Sequence, residues 1–199
     1  MNLDFSDDQK LLQEEAKKFL TKEDALKINR AVMDSDKTYN QELWDKIVQL
    51  GWTGIRIPEE YDGLGLSHLE LCVIAEELGR QLAPVPFSSS VYLFTETLIE
   101  FGGEEQKKSL LPKLVTGDVV GTLAIAETNS APNEDNISVK LKDGKLSGTK
   151  IAVPDAEIAT HAVVIARNGD SVSLCIVELN SDAVEINVQR NIDEGRGYY

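Results

Sequence analysis

The hydrophobic pattern of this chain changes its period at Gly117, and this change is the strongest constraint on its fold. Before Gly117, apolar residues recur at helical spacing, which predicts helices with one buried face. One such run, expected to form a helix from Ser67 onward, comprises Leu71, Ile74, Ala75, Leu78 and Leu82. After Gly117, short β-branched runs alternate with turn residues. The pattern predicts an α+β chain, with an all-helical domain at 1–117 and an antiparallel β domain at 118–199.

Local signals in the first half predict where helices begin and end. Ser6 and Gln9 form a capping-box pattern, in which each side chain satisfies the backbone N–H of the other residue. Gly51 is a typical helix stop. The APVPF run at 83–87 breaks the helical pattern, and the serines at 88–90 are expected to cap the next helix.

Turn residues in the second half predict two hairpins. Asp143-Gly144 and Asn168-Gly169 each separate two β-branched runs. Both dipeptides favour a two-residue turn with positive φ at its two central positions. The sequence therefore predicts that the strands on either side of each dipeptide pair with each other.

Composition narrows the classes of function. The chain has 199 residues and a net charge of −14 without a basic cluster, so nucleic acid is not an expected partner. No apolar run is long enough to span a membrane, and a cytoplasmic location is expected. Cys72 and Cys175 are interpreted as buried thiols, and His68 and His161 receive no role. No metal-ligand spacing and no catalytic triad is present.

Three ordered segments resemble the acyl-CoA dehydrogenase family. The first, at 54–80, reads GIRIPEEYDGLGLSHLELCVIAEELGR, and the second, at 104–127, reads EEQKKSLLPKLVTGDVVGTLAIAE. The third runs from SGTK at 147–150 to CIVEL at 175–179. The resemblance implies an N-terminal helical domain and an incomplete middle β domain. The family's C-terminal helical domain, which holds the glutamate that acts as catalytic base, is absent from the sequence, so no catalytic residue is assigned.

The same resemblance implies FAD as cofactor and assigns the residues that hold it. In the family, flavin lies against the T-E-P region of the first strand, whose acid Glu127 matches, and against a later W-I-T segment. Five residues of this chain occupy the matching positions: Leu123, Ile125, Ala126, Ala152 and Pro154. Ala126 and Pro154 stand where the family has threonine, and Pro154 also lacks a backbone N–H. The family's A-G-S-D stretch is replaced within 130–135.

Three functions follow from the resemblance. The first is oxidation of an acyl-CoA thioester to 2,3-enoyl-CoA, with electrons passing to an electron-transfer flavoprotein. The second is a non-catalytic, flavin-poor accessory subunit, because Ala126, Ala152 and Pro154 depart from the family's pattern. The third is a related flavin reaction, such as oxygenation or nitroalkane oxidation, on the same scaffold. The expected partners are an acyl-CoA substrate and further acyl-CoA dehydrogenase chains in a homo- or hetero-oligomer.

Overall fold

The computed structural model describes residues 4–189 and 197–199. The α-helices lie in the first half of the described chain, and the strands lie in the second half. The α-helices are α1 (Asp7–Glu23), α2 (Ala25–Met33), α3 (Gln41–Gln49), α4 (His68–Arg80), α5 (Glu96–Phe101) and α6 (Glu104–Val115). A π-helix, Ser88–Thr95, leads directly into α5. The predicted α+β class is confirmed.

The predicted helix signals at α1, α3 and α4 are confirmed. Ser6 and Gln9 form a complete capping box at the start of α1. Ser67 and Glu70 form a second one at the start of α4. Gly51 follows the end of α3 with a φ of 75°, which a residue with a Cβ adopts only at a cost. The helices then pack around a core that includes Ala16, Leu20, Trp44, Ile47, Leu71, Ile74 and Leu78.

Three expectations for the helical half are wrong. Leu82 is 58% exposed, because α4 ends at Arg80 and the chain turns through a Leu82 φ of 47°. Cys72 is exposed, since it lies on the outer side of α4 between the buried Leu71 and Val73. The serines at 88–90 do not cap a helix, because they lie inside the π-helix, which begins without a side-chain cap.

The described residues of the second half include one five-stranded sheet. Its strands are β1 (Gly121–Ala124), β2 (Lys140–Lys142), β3 (Lys145–Ser147), β4 (His161–Asn168) and β5 (Ser171–Glu178). β4 lies at the centre and pairs with β1, β2 and β5. The β2–β3 and β4–β5 pairs are antiparallel, whereas β1 and β2 run parallel to β4. The sheet is therefore mixed and not wholly antiparallel, because the long connections after β1 and β3 allow parallel pairing.

One of the two hairpin turns lies where the sequence predicts it. Asp143 and Gly144 have φ values of 49° and 74° and join β2 to β3. In the second hairpin, Asn168 pairs with Ser171, so the turn residues are Gly169 and Asp170. The turn is shifted by one residue from the predicted Asn168-Gly169 because β4 keeps its pairing with β5 through Asn168.

An apolar cluster crosses from the helices to the sheet. It includes Ile57, Phe94, Leu111, Val119 and Val163. A Cβ added to Gly121 would lie 2.1 Å from the Phe94 ring, so β1 can approach the π-helix only with glycine at this position. The helices end at Val115 and β1 begins at Gly121. A boundary between two domains at residue 117 stays a prediction.

Two absences apply to the described part of the chain. No helix within it is long and apolar enough to cross a membrane. It also holds no group of three or more His, Cys, Asp or Glu side chains that could bind a metal ion. The cytoplasmic location stays a prediction.

Candidate functional site

The chain leaving β1 contacts the segment at 150–154, so the structure brings the two parts of the predicted cofactor site together. The C=O of Ala126 accepts a hydrogen bond from the N–H of Ile151 at 2.8 Å. The hydroxyl of Thr122 donates to the C=O of Pro154 at 2.6 Å. Leu123 lies within β1 opposite Val163. All five predicted residues therefore lie on two adjacent segments.

A buried ion pair fixes the geometry of these segments. Lys150 Nζ lies 2.7 Å from Glu127 Oε1, and the two side chains are 7% and 5% exposed. The same ammonium group donates to the C=O of Ile125 at 2.9 Å. Glu127 also accepts hydrogen bonds from the N–H groups of Ser138, at 2.7 Å, and Val139, at 3.1 Å. The sequence did not identify these partners of Glu127, which lie 11 to 23 residues away along the chain.

The hydrogen bonds to Glu127 determine its ionisation. Burial by itself raises the pKa of this carboxyl, because the protein interior disfavours charge. The hydrogen bonds from Lys150, Ser138 and Val139 outweigh that effect and lower the pKa from 4.5 to about 2. Glu127 is therefore a carboxylate at neutral pH, and its lone pairs are already engaged. Such a group is a weak proton acceptor.

The second segment is held by residues from the end of the chain. The N–H of Ala152 donates to Gln189 Oε1 at 2.9 Å, and Ala152 has a φ of 52°. Val153 and Tyr199 exchange two backbone hydrogen bonds, at 2.8 and 3.1 Å. Pro154 has no N–H to donate. The hydrogen-bond donors of this segment are thus used within the chain or missing.

Of the two segments, only the one after β1 offers hydrogen-bond donors that would suit FAD. A flavin ring presents carbonyl and nitrogen acceptors along its edge, and these need N–H or hydroxyl donors. Among the described residues, the N–H groups of Ile125 and Ala126 have no hydrogen-bond partner, so they are available. Ala152, Val153 and Pro154 offer none in this arrangement. The residues after β1 fit the cofactor, and those at 152–154 do not.

Two serines of the π-helix form polar contacts with the sheet that the sequence did not predict. Ser89 Oγ donates to Asp155 Oδ2 at 2.6 Å, and both residues are buried. Ser90 Oγ accepts from the N–H of Gly121 at 3.2 Å. The run of three serines was the only available signal, and it was interpreted as a helix cap. These contacts fix the π-helix against both β1 and the segment at 150–155.

The other residues considered in the sequence lie outside this site. Glu59 and Asp62, two acidic residues of the segment at 54–80, form part of a tight turn, in which Asp62 has a φ of 65°. His68 Nε2 lies 3.1 Å from Glu96 Oε2 on the helical surface. Burial lowers the pKa of His161 at the start of β4, and the nearby Glu178 opposes that effect. Within residues 4–189 and 197–199, no hydrogen bond joins any of these four residues to the five predicted cofactor residues.

A profile described as acyl-CoA dehydrogenase, N-terminal domain, matches residues 6–118. The chain belongs to the acyl-CoA dehydrogenase family. Among its relatives is the mitochondrial isovaleryl-CoA dehydrogenase of Pongo abelii, 33% identical over 164 residues, which cover 77% of this chain and 38% of that protein. The benzylmalonyl-CoA dehydrogenase of Aromatoleum aromaticum is 27% identical over 199 residues, which cover 96% of this chain and 52% of the relative.

Solved structures share the fold. A variant of the Tcur3481-Tcur3483 steroid ACAD matches 96% of this chain and 53% of its own, with a TM-score of 0.84 and 28% identity. The butyryl-CoA dehydrogenase of Megasphaera elsdenii matches the whole of this chain and 56% of its own, with a TM-score of 0.85 and 23% identity. The present chain spans only 38 to 41% of the length of the isovaleryl-CoA dehydrogenases from Pongo abelii, Bos taurus and Solanum tuberosum.

Proposed function

We propose that this chain is part of an acyl-CoA dehydrogenase that oxidises an acyl-CoA thioester to 2,3-enoyl-CoA. The observation that carries the proposal is the contact between the two cofactor segments, made by the hydrogen bond from Ile151 to Ala126. It leaves the N–H groups of Ile125 and Ala126 available beside a buried ion pair that fixes the local backbone. Bound FAD would supply the hydride acceptor for this oxidation.

The roles of this chain in such an enzyme are binding and orientation. The N–H groups of Ile125 and Ala126 would hold an acceptor at the edge of the cofactor ring. Lys150 and Glu127 hold the backbone that carries these groups. We place the proton acceptor outside the described residues, since Glu127 is committed to its ion pair. An electron-transfer flavoprotein is the proposed electron acceptor.

Purification of the complete polypeptide, with any sequence that follows Tyr199, tests this function. We expect a yellow protein whose flavin absorbance is bleached by an acyl-CoA under anaerobic conditions. Acyl-CoAs with branched and straight chains, such as isovaleryl-CoA and butyryl-CoA, provide the first substrates to compare. A colourless protein that cannot be reconstituted with FAD and that does not oxidise any acyl-CoA would contradict the proposal.

A specific observation favours a second candidate, a flavin-poor accessory subunit of a heteromeric acyl-CoA dehydrogenase. The donors at Ala152 and Val153 are occupied, and Pro154 has none. The similar steroid ACAD is named for two gene products, Tcur3481 and Tcur3483. Co-expression with a second acyl-CoA dehydrogenase chain should then be needed for flavin binding and activity. Full flavin content and activity in a homo-oligomer would exclude this candidate.

A further inference from the structure

Four basic residues lie on one face of the sheet, outside the two cofactor segments. Lys142 and Lys145 are direct partners across the β2–β3 hairpin, so their side chains lie on the same face. Lys140 precedes Lys142 by two residues on β2, and its side chain therefore lies on that face as well. Its partner on the neighbouring strand β4 is Arg167. Together these residues form a basic stripe that crosses three adjacent strands.

The three lysines of the basic stripe carry charges that the described chain does not neutralise. All three are exposed. Within residues 4–189 and 197–199 none of them forms an ion pair, not even with Asp143 in the turn between β2 and β3. Arg167 differs, because it donates to the C=O of Glu134 and its Nη1 lies 3.9 Å from Glu134 Oε1. Three positive charges thus face solvent in a chain whose net charge is −14.

This arrangement is unfavourable for the hairpin on its own. Like charges directly opposite each other, such as Lys142 and Lys145, destabilise an antiparallel pair. Lysine is also depleted in strands, yet it fills three of the six positions of β2 and β3. Lysines often protect a free sheet edge from pairing, and this role suits Lys145 on the outermost strand β3. It does not explain Lys140 and Lys142, because β2 lies between β3 and β4.

The spacing of the basic stripe limits the kind of anion that fits it. A compact phosphate group binds best where several donors converge on one point, as at a helix N-terminus. The three lysines are instead spread along two strands, with Lys140 and Lys142 about 7 Å apart. An extended acidic polypeptide presents the carboxylates of alternate residues at the same spacing. Nucleic acid fits less well, because a net charge of −14 repels a polyanion of high charge density.

We propose that the basic stripe binds an extended acidic segment of a partner protein, whose carboxylates at alternate positions pair with Lys140, Lys142 and Lys145. The proposal does not depend on FAD or on the acyl-CoA reaction. Exposed ion pairs are individually weak and are screened by salt, so the complex should be transient and salt-dependent. The complementary charges should also speed its formation.

The acetylated hexapeptide ESESES, with glutamate at every second position, is a suitable probe, and QSQSQS is its neutral counterpart. Titration of the ¹⁵N-labelled full chain with ESESES at low salt should move the NMR signals of Lys140, Lys142 and Lys145, at a dissociation constant of about millimolar order. Raising the salt concentration from about 0.02 M to about 0.2 M should weaken binding about tenfold. Equal binding of the two peptides, or no response to ESESES, would overturn the proposal.

A triple variant locates the binding on the basic stripe. Lys140→Gln, Lys142→Gln and Lys145→Gln, combined in one chain, should weaken ESESES binding about tenfold or more, since each exposed ion pair accounts for about a two- to fivefold change. The variant also removes the repulsion across the hairpin, so it should remain folded. Binding as tight as that of the natural chain would mean that the peptide binds elsewhere.

A second triple variant is the matched control for net charge. It combines Lys17→Gln, Lys22→Gln and Lys108→Gln, at three exposed lysines of α1 and α6 that form no ion pair with the described residues. The change in net charge is the same, but the basic stripe is intact, so ESESES should bind as tightly as it does to the natural chain. Equal weakening in both triple variants would show that only net charge matters and would contradict the proposal.

Lys145→Glu separates binding from stability. It converts the repulsive pair with Lys142 into an attractive one, so the chain should unfold at the same or a higher urea concentration. Binding of ESESES should nevertheless weaken about tenfold or more, because the stripe loses one positive charge and gains a negative one. Unchanged binding in this variant would count against the assigned site.

Two further outcomes count against an acidic partner protein. If pyrophosphate binds to the three lysines more tightly than ESESES does, the natural occupant is a phosphate compound. If the signals of the basic stripe move with protein concentration in the absence of a peptide, the occupant is a second copy of this chain.

Discussion

Two carboxylates, one in each half of the molecule, have the same low pKa for different physical reasons. Glu70 lies at the start of α4, where the N–H of Ser67 donates at 2.9 Å and Gln9 Nε2 donates at 2.8 Å. Hydrogen bonds from the side chains of Ser67 and Gln9 lower its pKa from 4.5 to about 2. Glu127 reaches a similar value, although burial opposes its ionisation, because Lys150 provides a positive charge.

The two carboxylates differ in how strongly the stability of their half of the molecule depends on their charge. Glu70 remains partly exposed and joins two helix starts, since Gln9 belongs to the capping box of α1. If Glu70 loses its charge, water can still reach the donors at Ser67 and Gln9. Glu127 and Lys150 are almost fully enclosed, so either one without the other is a buried, unpaired charge. The sheet therefore depends on a single pair far more than the helices depend on Glu70.

Substitution of Lys150 should have the largest effect. Lys150→Met keeps the aliphatic stem but leaves Glu127 without its cation, so the free energy of unfolding should fall by about 3–5 kcal/mol. Urea unfolding measures the change. Lys18→Met removes an exposed lysine from a surface pair and serves as the matched control, with an expected change below about 0.5 kcal/mol. Similar losses of stability in both variants would show that the Glu127–Lys150 pair contributes no more than an exposed pair.

Acid should destabilise the protein through both carboxylates. A carboxyl group whose pKa is lowered on folding stabilises the folded state above its unfolded pKa, and this contribution disappears as the pH falls through the folded pKa. For Glu127, a change from 4.5 to about 2 corresponds to roughly 3 kcal/mol, lost between about pH 4.5 and pH 2. The free energy of unfolding, measured across this pH range, should depend less steeply on pH in Glu127→Gln than in the natural chain. An unchanged slope would contradict the assigned pKa.

Glu70→Gln should cost less than Lys150→Met. Glutamine can still accept the hydrogen bond from the N–H of Ser67, so we expect a loss of about 1–2 kcal/mol. Thermal unfolding with Glu76→Gln as a control on the same helix measures it. A loss as large as that of Lys150→Met would remove the distinction between the two halves.

The smallest effect concerns the link between α1 and α4. Gln9→Ala and Glu70→Ala, measured singly and together, should give a coupling energy of about 0.5–1.5 kcal/mol, because the Gln9–Glu70 hydrogen bond is partly buried. Purely additive losses would mean that the two capping boxes act independently.

Local sequence signals predicted much of this molecule. The capping residues Ser6 and Gln9, the helix stop at Gly51 and the turn at Asp143-Gly144 act within four residues of chain, so their pattern suffices. Leu82 was assigned to a buried face because helical spacing does not reveal that α4 ends two residues earlier. The burial of a residue beyond a helix end depends on the direction of the chain there.

Long-range contacts could not be predicted, because no local sequence signal specifies partners that lie far apart along the chain. The parallel pairing of β1 with β4 joins residues about 40 positions apart, and no turn signal encodes it. The role of Ser89 depends on Asp155, which lies 66 positions away. The five residues predicted to bind the cofactor were assigned only through resemblance to a family. The contacts of Ile125 with Lys150 and of Ala152 with Gln189 became visible only in three dimensions.

The dissociation constant of FAD, measured with the complete polypeptide, tests most directly whether the segment after β1 binds the cofactor. Ala126→Pro removes one of the two available N–H groups, and Ala152→Ser changes an exposed residue of the segment whose N–H is already used. We predict that the natural chain binds FAD, that Ala126→Pro binds it about tenfold more weakly, and that Ala152→Ser binds it equally well. Failure of the natural chain to bind FAD, or equal affinity in Ala126→Pro, would contradict this assignment.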